Sequence, residues 1–244
     1  MNFLKVICIG GFNSYRQPDF HTYHKSLPLP PKTTVAGMLG AAFGISPEEV
    51  NSDWLLNKRL KVGVVGESKG AVKDLWRIRK YKGKSVNFVT TPIVREIHFD
   101  NQYTLYFHCS ENDDYTKIKN ALKNPKWALS LGREDELIKI KLIESVNLDK
   151  VKNSGLRNTV VNFDVNELGY DIEEKYLFSQ AGGNLLNLRP LIIRLPISFK
   201  YDEDHSRQPA EYSFFSFIGD LPIIPKYEQE TFFDEVANQT FQLI

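Results

Sequence analysis

The chain opens on residues 3–9 (FLKVICI), a short apolar run rich in β-branched residues and closed by Gly10-Gly11. That pattern predicts a buried strand. Residues 12–25 are polar and aromatic and follow neither a helical nor a strand period. Pro28, Pro30 and Pro31 then hold the chain extended, because proline fixes its own φ and keeps the preceding residue out of the helical region. Val35, Met38, Leu39, Ala42 and Phe43 recur at i, i+3, i+4, i+7 and i+8. They predict one core-facing helical stripe, capped by Thr33 or Thr34 and ended by Gly44. Gly37, Gly40 and Ala41 leave the neighbouring face almost bare. Each interior glycine costs about 1 kcal/mol relative to alanine, so the expectation is that another backbone comes close there. Ser46-Pro47-Glu48-Glu49 reads as a capping box with proline at the first helical position, and predicts a second helix to about Asn57.

The later pattern gives a strand at 60–65, then two arms of a long hairpin at 71–81 and 86–99, turning near Lys82-Gly83-Lys84. A strand at 103–109, a helix at 113–122 stopped by Asn124-Pro125, a loop around Gly132 and an alternating strand at 137–143 follow. The order β-α(α)-β-hairpin-β-α-β matches the split βαβ arrangement that the RNA recognition motif also uses. The predicted fold class is therefore α+β. A ferredoxin-like (RRM-type) domain occupies residues 1–150, with the hairpin at 70–99 inserted in it. Short strands near 160–163, 176–178, 191–195, 197–200 and 214–217 predict a small β-rich C-terminal subdomain over 151–244.

Of 244 residues, 42% are hydrophobic and 25% charged, a globular composition that excludes a disordered chain. The longest apolar run, residues 35–45, holds three glycines and falls short of the roughly 20 residues a membrane helix needs. Residues 1–30 lack a signal-peptide pattern. Cys8 and Cys109 are too few for a disulfide framework and form no zinc pattern. The expectation is a soluble, cytoplasmic protein without cofactor or metal.

The net charge of +1 hides an asymmetry. Residues 1–150 carry 23 basic and 16 acidic side chains, and residues 151–244 carry 8 and 14. A basic part beside an acidic one suggests an anionic partner for the first. The densest basic stretch is the hairpin, with Lys73, Arg77, Arg79, Lys80, Lys82 and Lys84 against the single acid Asp74. Extended, it puts Trp76, Ile78, Lys80, Lys82 and Lys84 on one face, and Lys73, Leu75, Arg77, Arg79 and Tyr81 on the other. Arginines fork onto phosphates, and Trp76 or Tyr81 can stack a base. The same lysines also suit an edge hairpin kept from aggregating. Lys32-Thr33-Thr34 stands where a helix N-terminus favours a phosphate, or where a threonine simply caps the helix. Arg16 and Tyr15 lie in the loop after the first strand. Arg95 is either a phosphate contact or half of an ion pair. Ser130, Gly132 and Arg133 either bring backbone N–H groups and a guanidinium to a ligand, or form a turn with Arg133 paired to Glu134 or Asp135.

Three stretches together resemble a known family. They are Pro28-x-Pro30-Pro31-Lys32-Thr33-Thr34 followed by Gly37, Gly40 and Gly44; the basic hairpin between strands; and Ser130-Leu131-Gly132-Arg133-Glu134-Asp135 before the last strand. They look like the CRISPR-associated RAMP superfamily in its "Cas five" branch, in a type I-B-like form, over roughly residues 1–145. The resemblance implies a Cascade subunit that grips the 5′ handle of the CRISPR RNA. Its hairpin would act as a thumb against the RNA and the neighbouring backbone subunit. The chain would also join the large subunit of an assembly that finds target DNA by guide pairing. Some members of the family cut precursor RNA, using an adjacent lysine–histidine pair in a later segment. No Lys-His dipeptide exists here. His21, Tyr23, His24 and Lys25 are the alternative catalytic cluster, of suitable types for metal-independent cleavage. The resemblance therefore favours a non-catalytic RNA-binding subunit over an endoribonuclease. A protein-binding module that docks a basic partner on its acidic C-terminal part is the third reading.

Overall fold

A computed structural model describes residues 1–20, 23–56, 59–81, 88–152, 155–172 and 189–244. Its strands are β1 (Asn2–Asn13), β2 (Tyr23–His24), β3 (Leu60–Glu67), β4 (Gly70–Tyr81), β5 (Phe88–Cys109), β6 (Ile138–Asn147), β7 (Asp149–Val151), β8 (Thr159–Val161), β9 (Tyr170–Ile172), β10 (Leu191–Tyr201), β11 (Arg207–Ile218), β12 (Ile223–Pro225), β13 (Thr231–Asp234) and β14 (Gln239–Phe241). The helices are α1 (Lys32–Phe43), α2 (Pro47–Val50), α3 (Asn112–Lys123) and α4 (Val165–Leu168), with a π-helical turn at Asn51–Leu56.

The main sheet runs β10-β11-β8-β3-β5-β1-β6, with β2 and β4 attached to β5. Its pairings are antiparallel except β2 on β5. The fold is thus mixed α and β on a mostly antiparallel sheet. The two expected strands at 86–99 and 103–109 are one strand. The first half of β5 pairs with β4, and its second half lies between β1 and β3. The hairpin is therefore a continuation of the central strand past the sheet's edge. Its expected turn at 82–84 lies outside the described residues, as does the expected strand at 176–178.

Strand alternation sends Leu4, Val6, Cys8, Val62, Val64, Leu105 and Phe107 to one face. There they form a core with Val35, Met38, Leu39 and Ala42 of α1 and with Ile118 and Leu122 of α3. Helix α1 begins at Lys32, with Pro31 as its cap residue and no side-chain cap. The expected Thr33 or Thr34 cap is replaced because Pro31, extended at φ −70° and ψ 160°, offers its carbonyl to the N–H groups of Thr34 and Val35. The capping box at Ser46 and Glu49 is present. The helix after it holds one α-turn and then widens into the π-helical turn. Gly40 makes room for a side chain, not a backbone: a Cβ there would lie 2.5 Å from Val50 Cγ2. Gly37 faces open space.

The strands after residue 150 continue the same sheet through β8, and Val160, Ile193, Leu195, Phe215 and Phe217 share the main core. The boundary expected near residue 150 is not marked by a break in the sheet. β13 and β14 cover the other face, where Phe232 and Phe241 pack on Phe3, Val65 and Tyr106. Among the described residues no helix is long and apolar enough to cross a membrane.

Candidate nucleic-acid interface

Order in the aperiodic segment after β1 comes from hydrogen bonds across it. Gln17 N–H donates to the Lys25 carbonyl at 2.9 Å and Leu27 N–H to that of Tyr15 at 2.7 Å. Tyr15 and Leu27 are buried and pin this lariat to the core. The short β2 within it pairs in parallel with β5, Tyr23 opposite Val94 and His24 opposite Arg95.

A second loop meets the first. The buried carboxylate of Glu136 accepts from Ser14 N–H at 2.8 Å, from the Ser14 hydroxyl at 2.5 Å and from Arg133 N–H at 2.9 Å. Asn13 Nδ2 donates to the Leu131 carbonyl at 2.7 Å. Gly132 sits at φ 110°, and a Cβ there would come within 2.4 Å of the Ser14 carbonyl oxygen. Only glycine permits both. The expected ligand N–H of Arg133 is therefore taken by Glu136, and the guanidinium is what this loop presents.

The hairpin supplies the third wall. The Trp76 ring has Arg133 at 4.4 Å and Arg95 at 5.4 Å, so it orients two guanidiniums rather than standing open for a base. Arg133 also meets Asp135 at 3.2 Å, the turn pairing that the sequence left open. Arg95 Nε donates to Asp74 at 2.8 Å, yet among the described residues Arg95 Nη1 is buried without a hydrogen-bond partner. A buried donor left unpaired costs on the order of 1–3 kcal/mol.

These walls line a cavity of about 420 Å³ reached by Arg16, His24, Lys25, Thr34, Trp76, Arg95, Gly132, Arg133 and Arg207, together with Ser14, Tyr15 and the acid Glu96. Burial, and then the charges of Arg16, Arg133 and Arg95, hold the His24 pKa below its ordinary value. The second of these causes reflects the cationic lining, which favours an anion. An adjoining cavity of about 680 Å³ shares Arg16, Thr34, Gly132 and Arg207 and adds Thr33, Ser130 and Tyr212.

Of the residues expected at an RNA site, Arg16, Thr34, Trp76, Arg95, Gly132 and Arg133 converge on the first cavity, and Thr33 and Ser130 on the second. Lys32 does not join them: it lines a separate cavity with Lys61, Glu211 and Glu230. Arg77 and Arg79 lie on the face of β4 opposite Trp76, as the alternation predicts, and are exposed. The backbones of Lys80 and Tyr81 belong to β4, but their side chains, with Lys82, Lys84 and His21, lie outside the described residues. The alternative catalytic cluster is divided by the same alternation. His24 shares the Arg95 side, while Tyr23 starts from the opposite side of the ribbon and its hydroxyl donates to Glu96 at 2.7 Å at the cavity's edge. That bond, burial and the Glu96 charge raise the Tyr23 pKa.

Sequence reasoning missed Arg207 and Glu136. Arg207 comes from β11 in the acidic part and lies 4.4 Å over the Phe199 ring. Glu136 is one of three acids in Glu134-Asp135-Glu136, and only burial sets it apart. Among the described residues no group of three or more His, Cys, Asp or Glu side chains is placed to hold a metal ion.

The sequence model of the family described as "CRISPR-associated protein (Cas_Cas5)" matches residues 3–196. Two solved structures are similar in fold. One, titled "CRISPR RNA-guided surveillance complex", has a TM-score of 0.53 at 17% identity over 93% of this chain and 92% of that one. The other is a CRISPR protein from Archaeoglobus fulgidus, with a TM-score of 0.53 at 9% identity over 99% and 98%. No curated protein sequence matches the chain.

Proposed function

The chain belongs to the CRISPR-associated Cas5 family, and from that membership and the cationic cavity we propose that it is a non-catalytic, RNA-binding assembly subunit of a CRISPR effector complex. In this reading it holds the 5′ handle of the CRISPR RNA in a type I, I-B-like Cascade, between a backbone subunit and the large subunit. The central strand order β6-β1-β5-β3, with α1 and α3 on one face, supports a ferredoxin-like, RRM-type reading of the first 150 residues. The hairpin continued from β5 suits a thumb.

One observation carries the proposal. Arg95 Nη1 is buried with no hydrogen-bond partner among the described residues, in a cavity that Arg16, Lys25, Arg133 and Arg207 also line. Five cationic side chains around one space, against the single lining acid Glu96, favour an anion such as a phosphate, even with Arg95 paired to Asp74 and Arg133 to Asp135. Replacing Arg95 and Arg133 together with alanine should weaken binding of repeat-derived RNA at least tenfold. It should also lower the salt slope by about 2, one unit per lost phosphate contact. Fluorescence anisotropy across a salt series checks this, and unchanged affinity and slope would overturn it.

His24 and Lys25 line the same cavity, which is the observation favouring the endoribonuclease reading. Cleavage also needs an acid for the leaving oxygen, and Tyr23 is engaged elsewhere. Incubating the protein with labelled repeat RNA in EDTA separates the two: a discrete cut, lost in His24→Ala, would establish the enzyme.

A further inference from the structure

The cavity is chemically one-sided. Arginine and lysine donate hydrogen bonds and accept none, and the indole N–H is also a donor only. The cavity's side-chain acceptors besides His24 are the hydroxyls of Ser14, Tyr15 and Thr34 and the carboxylate of Glu96; the Ser14 hydroxyl donates to Glu136 and Glu96 takes the Tyr23 hydroxyl. His24 is different. Its strand register beside Arg95 puts the ring on the same side of the ribbon as that guanidinium. Burial first, and then the charges of Arg16, Arg133 and Arg95, lower its pKa and favour the uncharged ring, and a neutral imidazole has one nitrogen that accepts.

A cluster of cations grips phosphates, and phosphates do not distinguish RNA from DNA. The 2′-hydroxyl does, and a site reads it by giving it a partner. We propose that His24 is the specificity-determining residue of this cleft: its ring accepts the 2′-hydroxyl of the nucleotide whose phosphate lies against Arg95 and Arg133, so that the cleft selects RNA over DNA of the same sequence. This rests on the reading of the cavity as an RNA site. The N–H of a neutral imidazole can bond a phosphate oxygen, but its second nitrogen only accepts, and a donor that arrives with the phosphate gives that nitrogen a partner. Tyr23, the phenol of the alternative cutting cluster, is bound to Glu96. Ser14, Tyr15 and Thr34 are the other uncharged polar residues lining the cavity; the Ser14 hydroxyl is bound to Glu136, and Thr34 is the rival for the role.

The test uses the full chain and two fluorescein-labelled probes, a repeat-derived RNA oligonucleotide and the DNA of the same sequence. The wild type should bind the RNA about tenfold more tightly, the worth of one well-made hydrogen bond. His24→Ala should weaken RNA binding by about that factor and leave DNA binding within about twofold, so the ratio collapses. The salt slope should not change, because a neutral group releases no counterion. His24→Gln keeps an acceptor and should restore part of the ratio. A ratio that survives in His24→Ala, an equal loss on both probes, or a collapse in Thr34→Val instead would each overturn the assignment. A wild type that binds neither probe would instead refute the RNA reading beneath it.

Discussion

Two glycines of identical appearance in the sequence have opposite roles, and substitution separates them. Gly132 stands at positive φ with the Ser14 carbonyl where a Cβ would go. Gly132→Ala should therefore cost about 2 kcal/mol, from a strained dihedral and a backbone clash. The urea midpoint should fall at unchanged m-value, and RNA binding should weaken because Arg133 shifts with its loop. Gly37 lies inside α1 with nothing within 4 Å of a Cβ. Gly37→Ala should gain about 0.5–1 kcal/mol, since alanine has less unfolded-chain entropy to lose. Residue types around the site were largely legible: Arg16, Arg95, Arg133 and Trp76 stood out by charge or size. Their pairings were not, because Arg133 over Trp76 and Glu136 under Ser14 join residues more than 50 positions apart. Periodicity carries no information about such contacts.

The hairpin shows where pattern reading succeeds and stops. Alternation separated Trp76 from Arg77 and Arg79, since a strand's side chains can only alternate. It did not show that one strand runs from Phe88 to Cys109, because Asp100-Asn101 looks like a turn. Asp100 does take positive φ, yet the ladder continues through it. Nor could alternation say which face meets the rest of the protein; that is set by the lariat and by the Gly132 loop. The consequence is testable on the two faces of β4. Trp76→Ala removes the ring that orients Arg95 and Arg133, each contact worth about 0.5–1 kcal/mol, and should weaken short-RNA binding three- to tenfold. Trp76→Phe should keep most of the affinity, and Arg77→Ala on the opposite face should stay within about twofold. An Arg77→Ala loss equal to that of Trp76→Ala, in the same anisotropy assay, would move the RNA to the other face.

At the scale of the whole molecule the basic and acidic parts of the sequence are not separate bodies. The acidic part lends Arg207 to the cationic cavity, extends the sheet through β8, β11 and β10, and closes its far face with β13 and β14. Gly63 allows that closure: a Cβ there would lie 2.2 Å from the Phe241 ring, which stacks on Tyr106 with centroids 3.9 Å apart. A buried charge network is sealed beneath. Lys5 meets Asp234 at 2.7 Å and Glu144 at 3.6 Å, and the Tyr106 hydroxyl donates to Asp234 at 2.8 Å. Burial pushes the Asp234 pKa up, but bonds from Lys5, Tyr106 and the Ala237 N–H outweigh it, and the net direction is down. A carboxylate depressed in the folded state adds stability that is whole above its unfolded pKa of about 4 and disappears as pH falls through the folded value. Asp234→Asn should therefore cost about 3–5 kcal/mol at pH 7, because Lys5 keeps its burial and loses its nearest countercharge. The variant's stability should also fall less steeply than the wild type's below about pH 4. Replacing Lys5 and Asp234 together by methionine and leucine should recover part of that cost, since a buried pair contributes little beyond a hydrophobic one of similar volume, while the Tyr106 hydroxyl and the Ala237 N–H lose their acceptor. Urea melts at pH 7 and along the acid limb check all three, and a double variant no more stable than Asp234→Asn would show that the pair itself holds β13 on the sheet.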